Sequence, residues 1–96
     1  MLFRESPMPV LLVAYDLKLP DENYAEVQQF LSKFTHCRKL DSVWLIDTKW
    51  SPHQVRDGLN ALIDRDDTVF VTKLAMNWAS YGFGGADWLS DTNRNW

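Results

Sequence analysis

The sequence predicts a small α+β domain, and the order of its apolar patterns indicates this class. An uninterrupted apolar run over residues 10–15 ends at Asp16, and such a run is typical of a strand buried on both faces. The segments that follow it read as helix, strand, strand, helix and strand. The whole order is the split double βαβ of a ferredoxin-like sandwich, an antiparallel sheet with two helices on one face.

The first helix and the first hairpin follow from local residue choices. Pro20 and Asp21 suit the first helical turn, because proline fits that position and an acidic residue favours the positive end of the helix dipole. Apolar side chains then recur at helical spacing: Tyr24, Val27, Phe30, Leu31 and Phe34. A polar strand over residues 35–40 suits a sheet edge. It turns at residues 41–42 into an apolar third strand over residues 43–48.

The second half of the chain repeats the arrangement. Ser51 can cap a helix that starts at Pro52, and Gln54 completes the capping pattern three positions after the serine. The apolar face of this helix consists of Val55, Leu59, Leu62 and Ile63. Residues 68–74 alternate in polarity and predict the fourth strand.

Length and composition predict one domain with an unusual tail. A chain of 96 residues can bury one modest core, which we assign to residues 9–75. Residues 76–96 form a tail that is too apolar for plain disorder. We predict that the tail packs on its own sheet or on a partner subunit. Its candidate interface residues are Trp78, Tyr81, Phe83 and Trp88.

The charge balance restricts the partners. The net charge is −3, whereas nucleic-acid-binding domains are usually strongly basic. Phosphate contacts would therefore need a bound cation or a local patch, for which Lys18, Arg38 and Lys39 are the candidates. A scattered, solvated surface is the alternative interpretation of these residues. The single cysteine, Cys37, fits a reducing compartment, and no apolar run reaches membrane-spanning length. We predict a cytoplasmic protein without a membrane partner.

Asp16 is the first candidate for chemistry, because an apolar strand would hold its carboxylate at a fixed point on the sheet rim. The alternative is that Asp16 only hydrogen-bonds the following turn. Asp47 ends the third strand in a similar way. We expect the first and third strands to be central and parallel, which would place Asp16 and Asp47 toward the same end of the sheet. His36 and Cys37 are adjacent on a strand and point to opposite faces, so they do not predict a catalytic pair.

Short motifs along the chain carry a family resemblance. They are Val-Ala-Tyr-Asp-Leu at residues 13–17, Ser-Val-Trp at residues 42–44, Asn-Trp-Ala at residues 77–79 and Trp-Leu at residues 88–89. In this order of elements, residues 9–90 resemble the small CRISPR-associated endonucleases. That family provides the dimeric partner of the CRISPR integrase and is related to the virulence-associated D toxins. The chain looks like a stand-alone branch of this superfamily.

The resemblance implies a homodimer in which Asp16 of each subunit binds one shared Mg²⁺ and RNA or DNA phosphodiesters are cleaved. Mg²⁺ suits such a site, since it often takes only one or two carboxylates and keeps several waters. Other members of the family act as scaffolds. A non-catalytic dimeric module that binds through the sheet edge and the tail is therefore the second function left open. The chain departs from the family's basic character, and the basic cluster after the first-strand aspartate is reduced to Lys18.

Overall fold

A computed structural model describes residues 9–18 and 20–91 of the chain. The elements in this part are β1 (Val10–Asp16), α1 (Pro20–Ser32), β2 (Thr35–Leu40), β3 (Val43–Asp47), α2 (Pro52–Asn60), β4 (Thr68–Lys73) and α3 (Ala86–Ser90). The strands form one antiparallel sheet in the order β2-β3-β1-β4. The α+β class and the antiparallel sheet are thereby confirmed. The predicted tail extends to residue 96, and its last part, residues 92–96, lies outside the described residues.

The capping box predicted for α2 is present. Ser51 Oγ accepts a hydrogen bond from the Gln54 backbone N–H at 3.1 Å, and Gln54 Oε1 accepts one from the Ser51 N–H at 2.8 Å. The helix is shorter than its apolar pattern predicted and ends at Asn60. Leu62 lies in a following turn, where its N–H donates to the Leu59 carbonyl at 2.9 Å. No helix in the described part of the chain is long and apolar enough to cross a membrane.

Both helices α1 and α2 cover the same face of the sheet, which we call the helix face. Alternate residues of β1 and β3 pack there against one stripe of each helix. The buried residues of this cluster are Leu11, Val13, Tyr15, Leu17, Val27, Leu31, Trp44, Ile46, Val55 and Leu59. Gly58 lets the helices approach closely, because a Cβ at this position would lie 2.5 Å from Phe30 Cζ.

The opposite face, which we call the tail face, is covered by the residues after β4. Its buried cluster consists of Val10, Cys37, Leu45 and Leu89. Partly buried side chains pack against it: Leu12, Leu74, Trp78, Phe83 and Trp88. Gly85 allows a close approach where the tail meets the sheet, since a Cβ there would lie 2.5 Å from Phe83 Cζ and 3.0 Å from Cys37 Sγ. The described part of the tail, residues 76–91, therefore packs on the sheet of its own chain.

The expected parallel arrangement of the first and third strands is wrong. In the antiparallel pairing of β1 with β3, Val10 lies opposite Asp47, whereas Asp16 lies opposite Thr68 of β4. The physical reason is that the crossover through α1 makes β2 parallel to β1, and the hairpin then reverses the chain into β3. Asp16 and Asp47 thus lie at opposite ends of the sheet, about 20 Å apart along the strands. Asp47 is also buried.

Candidate functional site

Asp16 is the exposed last residue of β1, on the rim of the sheet. Because strand side chains alternate, Asp16 points to the same face as Leu12, which is the tail face. Among the described residues, none hydrogen-bonds or pairs with the Asp16 carboxylate. The following turn is held by another acid instead, since the Lys18 N–H donates to Asp67 Oδ1 at 2.7 Å. The Asp16 carboxylate is therefore available to a ligand.

The rim around Asp16 is acidic. Asp67 uses both of its carboxylate oxygens, because Oδ2 accepts the Asp64 N–H at 2.8 Å while Oδ1 holds Lys18. Asp67 immediately precedes Thr68, the residue that pairs with Asp16. Two carboxylates at one end of a sheet attract cations and repel a bare phosphodiester. An anionic substrate would therefore approach this rim more readily together with a cation.

A cleft of about 180 Å³ opens beside the end of β1. Its lining residues are Tyr15, Asp16, Leu17, Tyr24, Asp41 and Ser42. Across the described residues, no group of three or more His, Cys, Asp and Glu side chains is placed to hold a metal ion. A metal ion bound by Asp16 would therefore need its other ligands from water, a substrate or a second copy of the chain.

A network of aromatic rings and Arg38 forms one wall near this cleft. The Arg38 guanidinium donates to the Asp41 carbonyl, at 3.2 Å from Nε and 2.8 Å from Nη2, and also to the Tyr24 hydroxyl. Its Cζ atom lies over the rings of Tyr24 and Trp44, at 5.3 and 5.2 Å from their centroids. The network joins α1 and β3 to the end of β2.

Tyr15 connects this network to β1. Its hydroxyl accepts a hydrogen bond from Trp44 Nε1 at 3.0 Å in the buried core. Burial raises the pKa of the Tyr15 phenol, because desolvation penalises the charged form; the hydrogen bond from Trp44 acts in the opposite direction. The phenol therefore stays neutral and is a fixed partner of the indole N–H. The residue next to Asp16 is thus anchored firmly.

The structure does not bring the three predicted phosphate contacts into one patch. Lys18 lies beside Asp67 on the β4 side of the sheet, whereas Arg38 and Lys39 lie on the β2 edge. Arg38 is bound to the network described above. The Lys39 side chain runs along the tail, with its Cδ 3.5 Å from the point where a Cβ on residue 84 would lie.

Arg38 and Lys39 also line a second cleft, of about 410 Å³, between the β2 edge and the tail. The other residues lining it are His36, Cys37, Gly84, Asp87 and Trp88. Asp87 contributes a carboxylate to this cleft, so its walls carry charges of both signs. The partners of Arg38 were missed by the sequence reasoning. Strand alternation could have indicated only Trp44, because Arg38 and Trp44 lie on one face of neighbouring strands, whereas Tyr24 and Asp41 come from α1 and the hairpin turn.

The candidate interface residues of the tail separate into two groups. Trp78, Phe83 and Trp88 are half-buried against the sheet of their own chain. Tyr81 is fully exposed, with 102% of its reference surface accessible. Three of the four aromatic candidates thus contribute to the packing of the tail, and Tyr81 stands apart from them.

The chain matches no protein-family model. The resemblance over residues 9–90 therefore depends on the motifs themselves. In the structure, the motif at residues 13–17 ends β1 and the motif at residues 42–44 begins β3. Residues 88–89 lie in α3, against the tail face.

Proposed function

We propose that the protein is a metal-dependent endonuclease that acts as a homodimer, with Asp16 of each subunit as a ligand to one Mg²⁺. The observation that supports this proposal most directly is the position and surroundings of the Asp16 carboxylate. It is exposed at the fixed end of a buried strand, and no described residue hydrogen-bonds or pairs with it. A carboxylate held at a rigid position without a structural partner is suited to bind a ligand.

We also propose that the domain has the ferredoxin-like fold and that the enzyme is of the small CRISPR-associated endonuclease type. The strand order β2-β3-β1-β4, with α1 and α2 on one face, supports the fold. The motif at residues 13–17 supports the family, because it places the aspartate at the end of a central strand.

The residues at the rim fit Mg²⁺. Carboxylate oxygens are the hard ligands that this ion takes, and it commonly needs only one or two of them beside waters and substrate phosphates. When bound, Mg²⁺ polarises a phosphoryl oxygen and lowers the pKa of a coordinated water. Asp16 would hold the ion at the sheet rim, while Asp67 contributes negative potential from a position fixed by its two hydrogen bonds.

A non-catalytic dimeric scaffold is the second candidate, and the placement of the basic residues favours it. Arg38 is hydrogen-bonded to the Asp41 carbonyl and stacked on aromatic rings. Lys18 lies near the β4 edge of the sheet, whereas Lys39 lies on the β2 edge. Few Lys and Arg side chains are therefore grouped closely enough to contact the phosphates of a nucleic-acid backbone together. This candidate predicts no cleavage with any divalent metal.

The test compares Asp16→Asn with Asp57→Asn, a matched control on the exposed surface of α2. Labelled single-stranded RNA and duplex DNA are incubated with each protein in Mg²⁺ or in EDTA. We expect wild type and Asp57→Asn to cleave only with the metal, and Asp16→Asn to lose roughly a hundredfold or more of the rate. Binding of Mn²⁺, followed by electron paramagnetic resonance, should weaken only in Asp16→Asn. Undiminished cleavage by Asp16→Asn would contradict the proposal, and an inactive wild type would favour the scaffold.

A further inference from the structure

The cleft of about 410 Å³ between the β2 edge and the tail shares no lining residue with the cleft beside Asp16. Its volume lies within the range of small-molecule sites, roughly 300 to 1,000 Å³. One wall comes from a strand and the other from the tail, so two different sets of side chains line it. We call this space the edge cleft.

The strand wall of the edge cleft is basic, and His36, Arg38 and Lys39 of β2 contribute to it. The Arg38 guanidinium is held by the Asp41 carbonyl and by two aromatic rings, so its charge is fixed in this wall. Lys39 is exposed, and none of the described residues pairs with its ammonium group. The wall therefore offers an anion one fixed and one movable positive charge.

The tail wall carries an aromatic ring and a carboxylate. Trp88 is half-buried against the tail face, and this packing anchors the indole that lines the cleft. Asp87 is exposed in α3, and within the described part of the chain no residue pairs with its carboxylate. Lys39 and Asp87 thus line one cleft without forming an ion pair with each other, and both can bind a third group.

We propose that the edge cleft binds a nucleoside monophosphate, with its phosphate at the strand wall and its base at the tail wall. Phosphate oxygens accept strong, charge-assisted hydrogen bonds from the side chains of Lys39 and Arg38. The flat face of a base stacks on Trp88. A base with an exocyclic amino group donates a hydrogen bond to the Asp87 carboxylate.

The two walls together select this class of ligand. Inorganic phosphate would use only the basic wall and would meet Asp87 as a like charge. A nucleoside without phosphate would leave the charges of Lys39 and Arg38 unused. Guanine places its exocyclic amino donor beside a ring N–H, which matches the two oxygens of a carboxylate, whereas hypoxanthine lacks the amino group. GMP should therefore bind more tightly than IMP.

The experiment measures binding of GMP, IMP and inorganic phosphate to the full-length protein by isothermal titration calorimetry in EDTA. The variants are Lys39→Met, Asp87→Asn and the control Lys33→Met, since Lys33 is an exposed lysine that lines neither cleft. We expect Lys33→Met to bind GMP like wild type and Lys39→Met to bind it about tenfold more weakly or worse. Wild type should prefer GMP over IMP by about fivefold or more, and Asp87→Asn should lose this preference.

A second arm distinguishes a free nucleotide from the end of a nucleic-acid strand, because both can present the same phosphate and base. A 5′-phosphorylated RNA hexamer that begins with G is titrated beside GMP. Binding of either one that weakens in Lys39→Met supports the site and identifies its source.

The edge cleft is overturned as a nucleotide site if neither GMP nor the hexamer binds wild type at about 1 mM. It is also overturned if Lys39→Met, shown by circular dichroism to be folded, binds them like wild type, or if inorganic phosphate binds as tightly as GMP. A preference for GMP that persists in Asp87→Asn would contradict the assigned base contact. The inference goes beyond the proposed nuclease and does not depend on it. A wild type that binds GMP in EDTA and never cleaves contradicts only the nuclease.

Discussion

The two faces of the sheet are built in different ways. The helix face is covered by α1 and α2, of 13 and 9 residues, and its side chains form a continuous buried cluster. The tail face is covered by irregular chain and by α3, of 5 residues, and its end near Asp16 carries the exposed side chains of Leu40 and Phe70. Two regular helices bury a large cluster on one face, whereas the tail packs against the other face through a smaller cluster. The buried apolar packing is therefore more extensive on the helix face than on the tail face.

The largest effect is expected from removing one buried leucine on each face. Leu31 is 0% exposed in α1, and Leu31→Ala should lower the free energy of unfolding by about 3 to 4 kcal/mol because of the cavity it leaves. Leu89 is 5% exposed in α3, and Leu89→Ala should cost about 2 kcal/mol, since the tail can relax toward solvent. Urea denaturation at one protein concentration measures both values. An equal or reversed order would remove the contrast between the faces.

A second comparison places a methyl group at one crowded glycine on each face. A Cβ at Gly58 or at Gly85 would lie 2.5 Å from the Cζ atom of Phe30 or Phe83, respectively. Gly58→Ala should cost about 1 to 2 kcal/mol, because overpacking between two helices exceeds the gain in helix propensity. Gly85→Ala should cost about 1 kcal/mol, since the Phe83 ring borders solvent.

Gly84→Ala is the matched control for these glycine variants, because its Cβ would meet only the Lys39 side chain at 3.5 Å or more. Its effect on unfolding should stay within about 0.5 kcal/mol. A cost at Gly84 equal to that at Gly85 would show that glycine itself, rather than the close approach of Phe83, is required in this loop.

A smaller effect is expected at the cap of α2. Ser51→Ala removes the side chain that accepts the Gln54 N–H and should cost about 1 kcal/mol. The helix on the tail face, α3, has no side-chain cap, so no comparable capping energy can be removed there. Thermal unfolding followed by circular dichroism measures it, with Ser90→Ala at the end of α3 as the control. A loss in Ser90→Ala as large as in Ser51→Ala would contradict the role of the cap.

The smallest effect near neutral pH concerns Tyr15 on the helix face. Burial raises its pKa in the folded protein above the ordinary value of 10.0, so the unfolded chain loses this proton first as the pH rises. The contribution of the neutral phenol is complete below pH 10 and is lost progressively above it. Urea denaturation between pH 8 and pH 11 should show a decline that is weaker in Tyr15→Phe and unchanged in Tyr81→Phe. An identical decline in Tyr15→Phe would exclude this origin.

The sequence predicted the elements that local patterns determine. The capping pattern at Ser51 and the strand ending at Asp16 appear where local residue patterns predicted them, and so does the apolar stripe of α1 except for Phe34, which lies beyond the end of the helix. The direction of β3 relative to β1 was wrong, since it depends on how the crossover and the hairpin combine. The partners of Arg38 were missed because they come from α1, β3 and the turn at Asp41, which only the tertiary fold brings together.

The site was predictable only in part, for the same reason. An apolar run that ends in an acid indicated Asp16. The sequence did not indicate that Asp67, rather than Asp16, accepts the hydrogen bond from the Lys18 N–H. The face that Leu40 occupies could not be derived from spacing. Leu40 lies on the tail face because of the register shift after Cys37, and a regular strand would have turned it to the helix face.

That register shift has a consequence for solubility. β2 is an edge strand, and the outer hydrogen-bonding groups of such an edge can recruit further strands into a fibre. The shift disturbs the ladder next to Arg38 and Lys39, so irregular backbone and positive charge coincide on this edge. Both features disfavour an added strand. The β2 edge is thus protected against open-ended strand addition, although exposed apolar side chains such as Leu40 lie on the same strand.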